Sequence, residues 1–276
     1  MRYTTFGSAA PSVFAILAIM AGGLFVLTSC TTNPLTGKKH FNMVPEAIEA
    51  NMGLQAYDQI KAKEKISKNP RYNELVRRVG SRIAEASGQT GYSWEFTVIE
   101  SEVQNAFCLP GGKIVVYTGI LPIAKNEGGL ATVLGHEVTH ALARHGGERI
   151  TQNIAMLGGL GALQYTLLKD HPQQSLIMGL LGAGATVGVI LPFGRADETE
   201  ADETGQILMA RAGYDPAESV AFWQRFSAVT AGKSPPEFLS THPSSQNRVE
   251  NLQNRLAGAE GDYRSAQNHF GIGENF

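Results

Sequence analysis

The stretch Ala131-Thr132-Val133-Leu134-Gly135-His136-Glu137-Val138-Thr139-His140 decides how the rest of the chain is read. Histidines four apart lie one turn above each other on one helix face, so both imidazoles reach a single ion. Zinc–nitrogen bonds of about 2.0–2.1 Å suit that spacing. Glu137 lies about 100° round the helix from His136, beside such an ion rather than on it, where a carboxylate serves as a base for water. Val133, Leu134, Val138, Ala141 and Leu142 make this a buried helix, the rigid support a metal site needs. Two hydrogen-bonded histidines in a core helix would leave the same pattern, so a second constellation is required.

The segment Asp197-Glu198-Thr199-Glu200-Ala201-Asp202-Glu203 supplies one. Catalytic zinc usually takes three protein ligands and keeps one position for water. Glu198 and Asp202 are four apart and share a face. Glu198 can be the third ligand while Asp202, one turn on, accepts the outer N–H of a ligand histidine and fixes its tautomer. Glu200 points about 160° away from Asp202 and needs another role. Asp197, Glu200 and Glu203 also read as a solvated acidic helix start. His145 stands about 140° round from His140 on a continuous helix and cannot join both histidines without a break.

Around these motifs the pattern is mostly helical. Apolar positions Ile48, Met52, Ala56 and Ile60 predict a helix from Pro45 to about Lys68. Leu75, Val79 and Ile83 predict another from Arg71 to Ala86, stopped by Gly88. Trp94, Phe96 and Val98 alternate with polar residues, as in a half-buried strand, and a second strand is expected at Lys113–Thr118 after the turn Pro110-Gly111-Gly112. Helices are expected at Arg195–Ala212, Pro216–Val229 and Pro243–Leu256. Residues 154–193 hold two Gly- and Ala-rich apolar stretches around Lys169-Asp170-His171-Pro172. They read as a packed helical hairpin or as a contact for membrane or partner proteins. The fold class is α+β, mostly helical, with a small sheet whose edge strand precedes the metal-bearing helix.

The chain has 276 residues, a net charge of −2 and 43% hydrophobic residues. That near-neutral balance argues against nucleic-acid binding, and two cysteines exclude a disulfide framework. Arg2, the apolar run from Val13 to Leu27 and the closing Leu27-Thr28-Ser29-Cys30 describe a secretory leader. Leu-Thr-Ser-Cys is similar to a bacterial lipobox, which makes Cys30 the acylated first residue of the mature chain, carrying chains such as palmitate. An uncleaved signal anchor is the alternative. The division expected is a signal peptide at 1–29, a lipidated extended tether at 30–44, a catalytic domain at 45–258 and a polar, mobile tail at 259–276. Thr31 after the cysteine, rather than aspartate, places the chain by resemblance on the periplasmic face of the outer membrane.

His136-Glu137-x-x-His140 followed by Glu198-x-x-x-Asp202 resembles the gluzincin metallopeptidases of family forty-eight, in a bacterial periplasmic lipoprotein branch. Asn105 to Gly119, Arg211-Ala212-Gly213-Tyr214-Asp215-Pro216, and Thr241-His242-Pro243 with Arg248 are similar to further signatures of that family. The resemblance implies a zincin-like domain with one Zn2+ on His136, His140 and Glu198, and Glu137 as general base in peptide hydrolysis. It also implies that substrate lies extended along the edge strand around Val115, Val116 and Tyr117. His242 is then a gate or a contact to zinc or substrate, with a plain helix start as the alternative. Arg248 supports the acidic cluster or decorates a helix. Expected partners are polypeptide substrates in the cell envelope, handled as misfolded or misassembled proteins, and the membrane through Cys30. The rival reading is a non-proteolytic envelope lipoprotein of the same fold that acts as a chaperone or binding module.

Overall fold

The computed structural model describes residues 30–152, 155, 193–230, 238, 239, 242, 247–272, 275 and 276. The expectations for the leader and for nearly all of residues 154–193 fall outside them, as does the helix start at Pro243.

The described chain opens with strands β1 (Cys30–Thr32) and β2 (Lys39–Phe41), an antiparallel hairpin in which Thr31 faces His40. Gly37, at φ +71°, allows the turn, and the Asn33 N–H reaches the Lys38 carbonyl at 2.8 Å. Helices α1 (Glu46–Lys63) and α2 (Pro70–Ala86) follow. Asn69 caps α2 by accepting from the Arg71 and Tyr72 N–H groups, and Pro70 fits its first turn. Leu75, Val76, Val79 and Ile83 form its buried face. Gly80 lets the ring of Phe96 lie on the helix, since a Cβ there would fall 2.2 Å from Phe96 Cε1.

Strands β3 (Glu95–Ile99), β4 (Ala106–Leu109) and β5 (Lys113–Tyr117) make a sheet of order β3-β5-β4. β5 runs parallel to β3 and antiparallel to β4. This corrects the substrate-strand expectation. Val115, Val116 and Tyr117 lie in the central strand, whose backbone is paired on both sides, so the edges of the sheet are β3 and β4. The continuous apolar run Ile114-Val115-Val116 is the mark of a strand buried on both faces, and all three residues are 0% exposed.

A short helix α3 (Leu121–Ala124) leads into α4 (Glu127–Leu142), the helix that carries the His-Glu-x-x-His motif. Asn126 caps α4 through the Gly129 N–H, and all of its residues are buried. It is walled by α2, β4 and α6 (Ala217–Thr230), and by α5 (Arg195–Arg211), which crosses it at Gly135 and Gly205. A Cβ on Gly135 would lie 2.7 Å from the Gly205 carbonyl oxygen, so the two backbones touch. The last helix is α7 (Arg248–Ser265).

Two boundaries differ from expectation. Residues 30–44 are no extended tether: Asn33 is 0% exposed and His40 3%, both tied to α5. The polar tail is packed, because α7 runs past 258 and Phe270 and Phe276 lie against the core. Among the described residues, no helix is long and apolar enough to cross a membrane.

Candidate metal centre

The α4–α5 contact brings the two motifs together. His136 Nε2 and His140 Nε2 are 3.1 Å apart, and Glu198 carboxylate oxygens lie 3.5 Å and 3.4 Å from them. His242 is the fourth member, with Nδ1 3.0 Å from Glu198 Oε1 and 3.3 Å from His136 Nε2. Ligand atoms of these four residues all lie within 4.8 Å of one another, and all four are buried.

The donor set fits a cation. Asp202 Oδ1 lies 2.9 Å from His136 Nδ1, so the carboxylate accepts the Nδ1–H hydrogen bond and Nε2 is left as a bare lone pair. That lone pair faces a second imidazole nitrogen and a carboxylate, an arrangement that repels itself without a positive charge between its members. Burial opposes the charge on Glu198, but the surrounding His136, His140 and His242 rings outweigh it, and its pKa falls well below the carboxylate range. Burial pushes His136 and His140 below the ordinary imidazole value, which keeps both rings neutral and able to ligate.

Glu137 projects beside this group, not into it. Its Oε2 accepts from the Cys108 N–H of β4 at 3.2 Å, while its Oε1 is buried without a hydrogen bond among the described residues, 3.6 Å from His242 Nε2. Burial raises its pKa to about 7, with His242 opposing. Burial also raises the Cys108 thiol well above its usual range, which makes it an inert packing residue.

Arg248 begins α7 and is 3% exposed. Its Nη2 donates to Glu198 Oε2 at 2.7 Å and its Nε to Asp202 Oδ2 at 2.5 Å, with the guanidinium 3.9 Å above the Trp223 ring. The planar fork thus fixes both acids in one orientation. Phe193 stacks on His140 with ring centroids 4.0 Å apart, and Phe238 stacks on His242 at 4.5 Å.

Sequence reasoning missed a second cluster. α4 ends at Leu142, and Arg144 takes a left-handed φ of +56°. Such a conformation costs a non-glycine residue about 1–2 kcal/mol. It is held by Arg144 Nε donating to Glu49 at 2.8 Å and Nη2 to the Val44 carbonyl at 2.6 Å. This is the break that spacing alone required for His145 to approach His140, and their Nδ1 atoms are 2.9 Å apart. Glu200, left without a role by helix geometry, is 5% exposed and accepts from Asn33 at 2.6 Å. Lys38 Nζ is also 2.6 Å from Glu200, and His40 sits between Glu200 and Glu148. The hint in the sequence was the odd spacing of His145 and the third buried acid on α5.

Comparison with known proteins bears on this geometry directly. The model of Peptidase family M48 matches residues 70–256. The mitochondrial metalloendopeptidase OMA1 of Schizosaccharomyces pombe is 36% identical over 88% of this chain and 71% of its own length. The Saccharomyces cerevisiae protein of that name is 32% identical over 91% of this chain and 76% of its own. The beta-barrel assembly-enhancing protease of Yersinia pestis is 31% identical over 75% of this chain, which spans 43% of that longer protein. These matches overturn the expected placement at the periplasmic face of an outer membrane. Mitochondrial enzymes stand among the relatives beside a bacterial one, so the likeness does not single out an outer-membrane lipoprotein branch. With two motifs on touching helices and a family match across both, the chain belongs to Peptidase family M48 and is a metalloprotease.

Proposed function

We propose that the chain is a zinc-dependent endopeptidase in which His136, His140 and Glu198 hold the ion and Glu137 is the general base. One observation carries this: two imidazole Nε2 atoms and the Glu198 carboxylate converge within 4.8 Å beside a buried Glu137 oxygen that has no hydrogen bond among the described residues. When bound, zinc polarises a peptide carbonyl and makes a coordinated water acidic enough to attack near neutral pH.

The protein's own groups do the rest. Glu137 takes the proton of the attacking water and passes it to the leaving amine, and the Cys108 N–H aims its carboxylate. Asp202 holds His136 in the tautomer that presents Nε2, and Arg248 keeps Asp202 and Glu198 in place. Substrate backbone lies extended along the free edge of β4, the strand whose Cys108 N–H already points at Glu137 rather than into the sheet. Main-chain pairing reads sequence weakly, which suits unfolded segments of misfolded or misassembled polypeptides. His242 fills the ground where water and carbonyl must enter, so this conformation is a closed one.

The test is zinc content and casein cleavage of the wild type and Glu137→Gln. The expected result is one zinc in both and cleavage in the wild type alone; equal cleavage in both overturns the mechanism. A lipid tether at Cys30 is a separate proposal, supported by Leu27-Thr28-Ser29 before it and by its exposure at the start of β1. Palmitate labelling that survives in Cys30→Ser would overturn it.

A further inference from the structure

The strained turn at Arg144 has one visible consequence for the metal centre, the placement of His145. The chain is helical again over 145–152, and His145 is 0% exposed with its ring edge-on to His140, centroids 4.9 Å apart. Its Nδ1 faces His140 Nδ1 at 2.9 Å. Among the described residues its Nε2 has no hydrogen bond, and it looks onto Glu200 Oε2 at 3.7 Å and Asp197 Oδ1 at 3.9 Å.

We propose that His145 is a positioning residue for the metal centre, accepting the outer N–H of His140 and backed by Glu200 and the N-terminal hairpin. This rests on the reading of His140 as a ligand and deepens it. The proton inventory gives the direction. A neutral imidazole that offers Nε2 to a metal carries its proton on Nδ1. For His140 that proton meets His145 Nδ1, which must then be the acceptor, so His145 carries its own proton on Nε2, toward Glu200. Each ligand histidine thereby has an outer partner: Asp202 directly for His136, and Glu200 through the His145 ring for His140. Glu200 is in turn fixed by Asn33, Lys38 and His40 of the hairpin, so residues near the N-terminus stand behind a ligand on α4.

His40, His145 and Asp197 also have the spacing of a second metal group. The charges speak against it. Lys38 Nζ lies 2.6 Å from Glu200, and His40 is bracketed by Glu148 and Glu200, so cationic side chains already occupy this acidic pocket.

The experiment uses the full chain and measures zinc stoichiometry and zinc affinity by chelator competition. Three variants separate the roles. His145→Asn keeps an acceptor oxygen near the Nδ1 position. His145→Gln places its amide near Nε2 and leaves His140 without an acceptor. His145→Leu removes both. Wild type and His145→Asn should agree within about threefold, while His145→Gln and His145→Leu should bind zinc about 10- to 100-fold more weakly. In the zinc-bound wild type, nitrogen NMR should show His145 Nδ1 unprotonated and Nε2 protonated.

A wild type that binds no zinc sinks the ligand assignment itself. A zinc-binding wild type with a folded His145→Gln of unchanged affinity overturns the present proposal alone. So does a loss in His145→Asn as large as in His145→Leu. Two zinc ions in the wild type falling to one in all three variants would make His145 a ligand of a second metal and would equally overturn it.

Discussion

Gly135 and Gly205 meet where α4 crosses α5, so closely that a Cβ on Gly205 would lie 2.8 Å from the backbone nitrogen of His136. Gly135 directly precedes the first histidine of the motif, and Gly205 stands less than one turn beyond Asp202. The contact therefore sets the distance between the histidine pair and the acids that complete it. A methyl group at either position must push the helices apart, and overpacking of this kind costs about 1–3 kcal/mol. Gly135→Ala and Gly205→Ala should each lower the stability of the metal-free protein by about that amount. Each should also weaken zinc binding, because Glu198 moves away from His136 and His140. Urea titrations and chelator competition check the two effects. Stability and zinc affinity both equal to wild type in both variants would show that the crossing does not set the site.

Arg248 is the cation shared by the two acids of α5. Removing it leaves Glu198 and Asp202 buried at 1% and 8% exposure without the guanidinium they share. Breaking a buried ion pair from one side costs about 3–5 kcal/mol. Arg248→Met, which keeps volume over Trp223, should lose about that much stability without metal and regain part of it with zinc, since the ion neutralises Glu198. Denaturation with and without zinc measures both arms. A loss identical in the two conditions would separate Arg248 from the metal centre.

The sequence was most legible where one element carries its own chemistry. Histidines four apart on a buried helix, and acids four apart on another, needed nothing from the rest of the chain. Helices α2, α5 and α6 follow the apolar pattern to within a residue or two. The unreadable parts depend on contacts between distant segments. Ile114-Val115-Val116 reads as a strand, but its place between two neighbours depends on which other strands pair with it. Asn33 and His40 look like polar loop residues until Glu200, far along the chain, buries them. His145 falls off the metal face on any continuous helix, and the left-handed turn that returns it falls on Arg144 rather than on Gly146 or Gly147, where the sequence would place it.

His242 defines a closed state. It touches Glu198 and His136 through Nδ1, and its Nε2 lies 3.6 Å from Glu137. A substrate carbonyl and an attacking water both need that space. His242→Ala should therefore raise the rate of cleavage of a short unstructured peptide several-fold, with zinc content unchanged. Steady-state kinetics and metal analysis on the same samples make the comparison. A fall in activity with zinc retained would assign His242 to substrate or transition-state contact in place of closure.

His40 makes the hairpin's hold on α5 depend on pH. Hydrogen bonds to Glu148 and Glu200 raise its pKa from 6.5 to about 9, against the cost of burial. The groups facing it are Glu148 at 2.7 Å, Glu200 at 3.1 Å, and the His145 ring at 4.7 Å between centroids, while Lys38 shares Glu200. Because the folded value lies above the unfolded one, the protonated ring stabilises the fold fully below pH 6.5, and this contribution is lost as pH rises through about 9. His40→Gln keeps a polar side chain but cannot take up the proton. Melting temperatures of wild type and His40→Gln should differ most at pH 6 and converge between pH 7 and 9.5. A gap that stays constant over that range would mean that packing, not charge, makes His40 stabilising. A gap that widens would reverse the sign of the linkage and rule out a protonated His40 between the two acids.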